Sequence, residues 1–155
     1  MNYRVKRIIP VVGMLLLCGY ATLAVIRSGN KVEEVKQPLP SSIGDLAAVK
    51  VVEIKDAAGQ IVLSGNFVAR NERDGDVEGK ALLTGTASNA AAQGEAEFEI
   101  STNKNGATES ELEVSVRKLA PGTSFGMFVD GQQIATFSTD QRGAAELEMK
   151  DAPTK

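Results

Sequence analysis

From about residue 46 to residue 150, apolar side chains tend to alternate with polar ones, and turn-forming residues interrupt the alternation at short intervals. A period of two is the signature of half-buried strands rather than helices. The pattern predicts strands at 48–55, 60–69, 78–86, 94–102, 109–118, 124–130, 133–139 and 144–150. The clearest are Glu95-Ala96-Glu97-Phe98-Glu99-Ile100 and Ala145-Glu146-Leu147-Glu148-Met149, where every second residue is acidic. As strands, these place Phe98, Ile100, Leu147 and Met149 on a core face and the glutamates in water. As helices, they would spread acids around the whole circumference. The same reading adds Leu112, Val114, Phe125, Met127 and Ile134 to the expected core. Turns are marked at Asp56–Gly59, Asp74-Gly75, Asn105-Gly106, Asp130-Gly131 and Gln141–Gly143. Residues 87–93 have helix-compatible content but are too short to stand alone, and read as a loop.

The hairpin around Asn105-Gly106 constrains its own register. A two-residue loop would set Ile100 opposite Glu111, an apolar residue against a charge on one face. Pairing Ile100 with Leu112, Phe98 with Val114 and Glu95 with Arg117 keeps both faces consistent, which predicts a three- or five-residue loop. Gly94–Ile100 also echoes Gly143–Met149, so one hairpin design serves twice or the likeness arose by convergence.

Ahead of this domain, the first seven residues carry Arg4, Lys6 and Arg7 with no acid, and an uncharged run of 19 residues follows from Ile8 to Ile26. As a helix the run would reach roughly 28 Å, close to the ~30 Å hydrocarbon core of a bilayer. It contains the only cysteine, Cys18. A lipoprotein signal is disfavoured, because Leu17 is not small and the apolar run continues past Cys18. A cleaved secretory signal would need a small-x-small site, for which Thr22-Leu23-Ala24 is tolerable. An uncleaved signal anchor explains the length best, with Cys18 as a small apolar residue in lipid. The purely basic tail then stays cytoplasmic and the remainder crosses to the periplasm or cell surface. This gives an anchor at 1–27, a Pro- and Ser-containing linker at 28–45, a β domain at 46–150 and a polar tail at 151–155.

Charge and composition narrow the function by exclusion. Residues 1–31 hold five basic residues and no acid, which leaves 12 basic and 20 acidic residues, a net of −8, on the remainder. Nucleic acid would be repelled by such a domain. No histidine occurs, and no cysteine lies beyond the apolar run, so neither a Ser-His-Asp nor a Cys-His site can form, nor an ordinary zinc site. Tryptophan is absent as well, which removes the usual platform for sugars. No cofactor fingerprint or Gly-rich phosphate loop occurs, and no cofactor is expected.

Three features carry candidate chemistry. Asn71–Glu78 gathers acids around one turn, and Asp74, Asp76 and Glu78 could offer oxygens to calcium, although Arg73 lies among them and the spacing fits no EF-hand. Acids at 95, 97, 99, 109, 111 and 113 form a stripe across two neighbouring strands, suited to a basic partner or to resisting edge-to-edge aggregation. Leu119-Ala120-Pro121-Gly122-Thr123-Ser124-Phe125 resembles the Leu-x-Pro-x-Thr-x-Tyr corner of fibronectin type III modules, over about 30 residues including the flanking strands. Phe125 replaces the tyrosine, no core tryptophan exists, and a strand at 144–150 is additional.

The resulting expectation is an all-β protein, an antiparallel β-sandwich of about seven or eight strands behind one N-terminal transmembrane helix. Its expected role is non-catalytic: a membrane-anchored binding, structural or envelope component, with the membrane as one partner through residues 8–26 and a protein or envelope component as another. The alternatives are a calcium-binding adhesion-like module and an enzyme built on a carboxylate pair.

Overall fold

The computed structural model describes residues 32, 34–71, 76–104 and 106–151. The expected anchor at 1–27 lies outside these. Among the described residues no helix is long and apolar enough to cross a membrane.

The fold is all-β. Ten strands follow in chain order: β1 (Glu34–Pro38), β2 (Val51–Lys55), β3 (Ile61–Asn66), β4 (Val68–Asn71), β5 (Val77–Gly85), β6 (Gln93–Thr102), β7 (Thr108–Arg117), β8 (Ser124–Val129), β9 (Gln132–Ser138) and β10 (Ala145–Lys150). Each of the eight predicted strands is present, because the period-two pattern that predicts them also buries one face of each. Single 3₁₀ turns occur at Ser41–Ile43, Leu46–Ala48 and Ala87–Asn89, the last within the stretch read as a loop.

The strands do not divide into the two packed sheets of a sandwich. They form one sheet in the order β1-β10-β7-β6-β5-β3-β2-β8-β9, with β4 paired to the first half of β5, and the sheet curls until it is nearly closed into a barrel. The physical reason is continuity of hydrogen bonding. β3 pairs with β5, and β2 pairs with both β3 and β8, so no open edge separates two layers. The predicted strand at 60–69 is broken at Phe67, whose N–H turns to the carbonyl of Lys50. β5 therefore pairs with β3 at its end and with β4 at its start, a corner that helps the sheet to curl.

Residues 34–38, within the stretch read as linker, pair with β10 in parallel as β1. Pro38, its last residue, and Pro40 just beyond it end the strand. Leu39 and Ile43 then pack against the core. Asp45 caps the following turn by accepting from the N–H of Ala47 at 2.9 Å, and Leu46 enters the core.

A single apolar cluster fills the inside. Of the nine core residues expected, eight are buried and Ile100 is half-buried against the cluster. Phe98 is fully buried and meets Phe67 with ring centroids 5.3 Å apart. Its ring lies on Gly79, where any Cβ would fall inside the ring's van der Waals envelope. The β6–β7 hairpin closes through five residues, 103–107, as one of the two predicted loop lengths. Its register differs from the expected one by two, with Phe98 opposite Leu112 and Ile100 opposite Ser110. A shift of two keeps every side chain on its face, so pattern alone does not detect it.

All turns that follow β2, β5, β7 and β9 lie at one end of the barrel, together with the start of β1. There the 118–123 crossing from β7 to β8 is bonded to the β9–β10 turn. The N–H of Leu119 donates to Gly143 and that of Gly122 to Asp140. The buried Thr139 hydroxyl donates to the carbonyl of Ala120 at 2.7 Å and accepts from the N–H of Thr123 at 3.1 Å. This is the segment that resembles a fibronectin type III corner. The side chain that bonds it from outside the segment is Thr139, while Phe125 packs inside against Phe137.

Candidate functional site: an acidic sheet face

The outer face of β5, β6, β7, β10 and β1 is built from three rows of residues in cross-strand register. One row reads Glu78, Glu99, Glu111, Lys150; the next Lys80, Glu97, Glu113, Glu148, Lys36; the third Leu82, Glu95, Ser115, Glu146, Glu34. Nine glutamates and three lysines leave the face at −6. The alternation that buries Phe98, Leu112, Leu147 and Met149 sends these acids outward. At its β4–β5 flank the face carries two exposed apolar residues, Val68 at 63% and Leu82 at 71% accessibility.

Acids are stacked on acids. Glu78 faces Glu99, Glu99 faces Glu111, Glu97 faces Glu113, and Glu113 faces Glu148. Carboxylate oxygens of Glu111, Glu113 and Glu148 all lie within 4.8 Å of one another. A hollow of about 280 Å³ lies beside them, lined by Glu34, Glu95, Glu97, Ser115, Glu146 and Glu148 among others, and deepened where small Ser115 stands between Glu95 and Glu146.

Lysines hold the borders. Lys80 bridges Glu95 at 3.4 Å and Glu97 at 3.1 Å, and Lys150 bridges Glu111 at 3.0 Å and Glu148 at 2.7 Å. Lys36 bonds Glu148 and lies 3.5 Å from Glu34. Glu148 is held down to about 2 by hydrogen bonding with Glu34, Lys150 and Lys36. The ammonium groups of Lys36 and Lys150 keep Glu148 ionised at neutral pH. Its low accessibility comes from crowding by these side chains on the outer face, not from enclosure in the core, and water screens the pair accordingly.

Glu113 has no lysine. Desolvation by its packed neighbours raises its pKa, followed by a hydrogen bond shared with Glu111 and by the charges of Glu111, Glu148 and Glu97. The carboxylates of Glu111, Glu148 and Glu97 crowded around it act in the same direction as desolvation.

The residues proposed from sequence for calcium fall elsewhere. Asp74 lies outside the described residues. Asp76 precedes β5, and its carboxylate accepts from the N–H of Thr102 at 3.2 Å. Glu78 is the second residue of β5 and joins the acidic face opposite Glu99. Of the stripe at 95–113, the structure unites all but Glu109 in the three rows. It also adds Glu34, Glu146 and Glu148, which sequence reasoning did not connect to the stripe. The alternating acids of 145–149 were visible, but the pairing of β10 with β7 spans a long sequence separation.

Comparison with protein-family models, with curated proteins and with solved structures returned no match.

Proposed function

We propose that this chain is a membrane-tethered, extracytoplasmic, non-catalytic binding protein whose acidic sheet face receives a basic segment of a partner protein. The supporting observation is the stacking of glutamate opposite glutamate. Like charges directly opposite each other destabilise a sheet, whereas alternating lysine and glutamate would serve solubility equally well without that cost. A stability cost concentrated on one face is what a site retained for binding produces. Exposed Val68 and Leu82 at the border give such a segment apolar contacts beside its charges. The tether is supported by the uncharged 19-residue run and its basic flank.

The test is site-specific photocrosslinking in cells of the organism that encodes the protein. A photoreactive residue at Ser115, within the face, should give a salt-sensitive adduct with a protein carrying a lysine- or arginine-rich segment. The same probe at Thr136, on β9, should give none. Equal adducts from both positions, or none from either, would remove the reading.

A further inference from the structure

The middle row of the acidic face carries cations at both ends and none at its centre. It runs Lys80, Glu97, Glu113, Glu148, Lys36 across β5, β6, β7, β10 and β1. Lys80 lies 3.1 Å from Glu97, and Lys36 bonds Glu148. Glu113, between them, is exposed and has no ion pair among the described residues. Charged groups face it from each neighbouring strand. On β6, Glu97 stands directly opposite, with Glu95 and Glu99 on the diagonals. On β10, Glu148 stands directly opposite, with Glu146 and Lys150 on the diagonals. Lys150 is already engaged by Glu111 and Glu148. On β7 itself, the outer-face neighbours are Glu111 and Ser115. The hollow of about 280 Å³ opens beside Glu113 and gives an incoming side chain room.

The chain contains no histidine, so no side chain of ordinary pKa changes charge between about pH 5 and 8. Glu113 is shifted toward that empty range. Desolvation raises its pKa first, and the Glu111 hydrogen bond and the charges of Glu111, Glu148 and Glu97 act in the same direction. An ammonium or guanidinium group placed beside the carboxylate favours its ionised form. Proton and cation therefore compete for one group. Affinity for the cation is complete where Glu113 is ionised, and falls as pH drops through its raised pKa. Glu148, held down to about 2, keeps its charge across the same range, so the change falls at the centre of the row.

We infer that Glu113 is a proton-operated release element at the centre of the acidic face. At neutral pH its carboxylate receives a cationic side chain of the partner's basic segment. In mild acid it takes a proton from solvent, and that side chain leaves with its own charge unchanged. The inference rests on the binding reading above and adds the regulation of that same face.

The experiment titrates the full chain, in non-ionic detergent at low salt, with hexalysine, whose ammonium groups stay charged throughout. Calorimetry at about pH 7.5 and about pH 5 should show binding weakened about threefold in acid, with protons released on binding at the lower pH. Glu113→Gln should bind at neutral pH as weakly as the unsubstituted protein does in acid, and should lose the pH dependence. Glu99→Gln removes the same charge from the neighbouring row and should keep that dependence. Equal affinity of the unsubstituted protein at the two pH values, or a pH dependence that survives in Glu113→Gln, would overturn the release element and leave the binding face standing. No binding of hexalysine at neutral pH would remove the binding face, and the release element with it.

Discussion

Glu97 on β6 and Glu113 on β7 stand directly opposite each other, and the next residue across the sheet from Glu113 is Glu148. Glu148 has two lysines and Glu97 has Lys80, but Glu113 has no cation of its own among the described residues. Three neighbouring carboxylates, Glu97, Glu111 and Glu148, act on it together. Replacing it by glutamine removes three like-charge contacts and keeps the side-chain shape. Glu113→Gln should stabilise the domain at neutral pH by a few tenths to about 1 kcal/mol, read from the denaturant midpoint.

The same residue sets a pH dependence. The folded-state pKa of Glu113 is raised, so the folded protein binds this proton before the unfolded chain does, and lowering the pH from neutrality relieves the repulsion. Glu148 acts in the opposite sense. Its folded pKa of about 2 lies below the unfolded value, so its contribution is complete above the usual carboxylate range and is lost as pH falls toward 2. Thermal unfolding across pH should show the stabilising advantage of Glu113→Gln shrinking in mild acid and gone only below the unfolded carboxylate pKa of about 4.3. An advantage constant with pH would mean that repulsion is not its source.

Gly79 and Phe98 are cross-strand partners whose packing needs the absent Cβ. Gly79→Ala forces a fully buried ring to move and should cost about 1–3 kcal/mol. Phe98→Leu, made in the Gly79→Ala background, should cost less than it does alone, because leucine vacates the space that the new methyl needs. Additive losses in a double-mutant cycle would show that the ring is not what excludes the side chain.

The β7–β8 crossing depends on one hydroxyl. Thr139→Val leaves the carbonyl of Ala120 and the N–H of Thr123 without their partner in a part-buried setting, at a cost of about 0.5–1.5 kcal/mol. Thr139→Ser keeps the hydroxyl and should lose distinctly less. Equal losses would assign the effect to the methyl group. Gly143 supports the same junction. Its φ of 76° and the closeness of the Leu119 backbone both exclude a side chain.

Much of this was legible in the sequence, for a physical reason. Alternation at 94–102 and 144–150 reports which face is buried, and burial is what the sheet enforces, so strand positions and core residues such as Phe98, Leu112 and Met149 followed directly. Pairing across the chain is not encoded in alternation. The two-residue register shift at Phe98 and Leu112 preserves every face, and the single curled sheet differs from a sandwich only in which edges are joined. β1 escaped notice because Glu34-Val35-Lys36-Gln37-Pro38 has one apolar residue and borders prolines, and its strand character comes from β10. The acidic face was half-visible, as a two-strand stripe. Glu34 and Glu148 join it only through pairings that no local pattern announces.

The central claim is that the acids of this face are kept for binding at a cost in stability, and a Glu97→Gln, Glu113→Gln double variant measures both sides at once. Its denaturant midpoint and its adduct yield from a photoreactive residue at Ser115 are read in parallel against the otherwise unsubstituted protein. The account predicts that the midpoint rises while the adduct falls severalfold. A midpoint that falls, with an adduct yield unchanged, would contradict it.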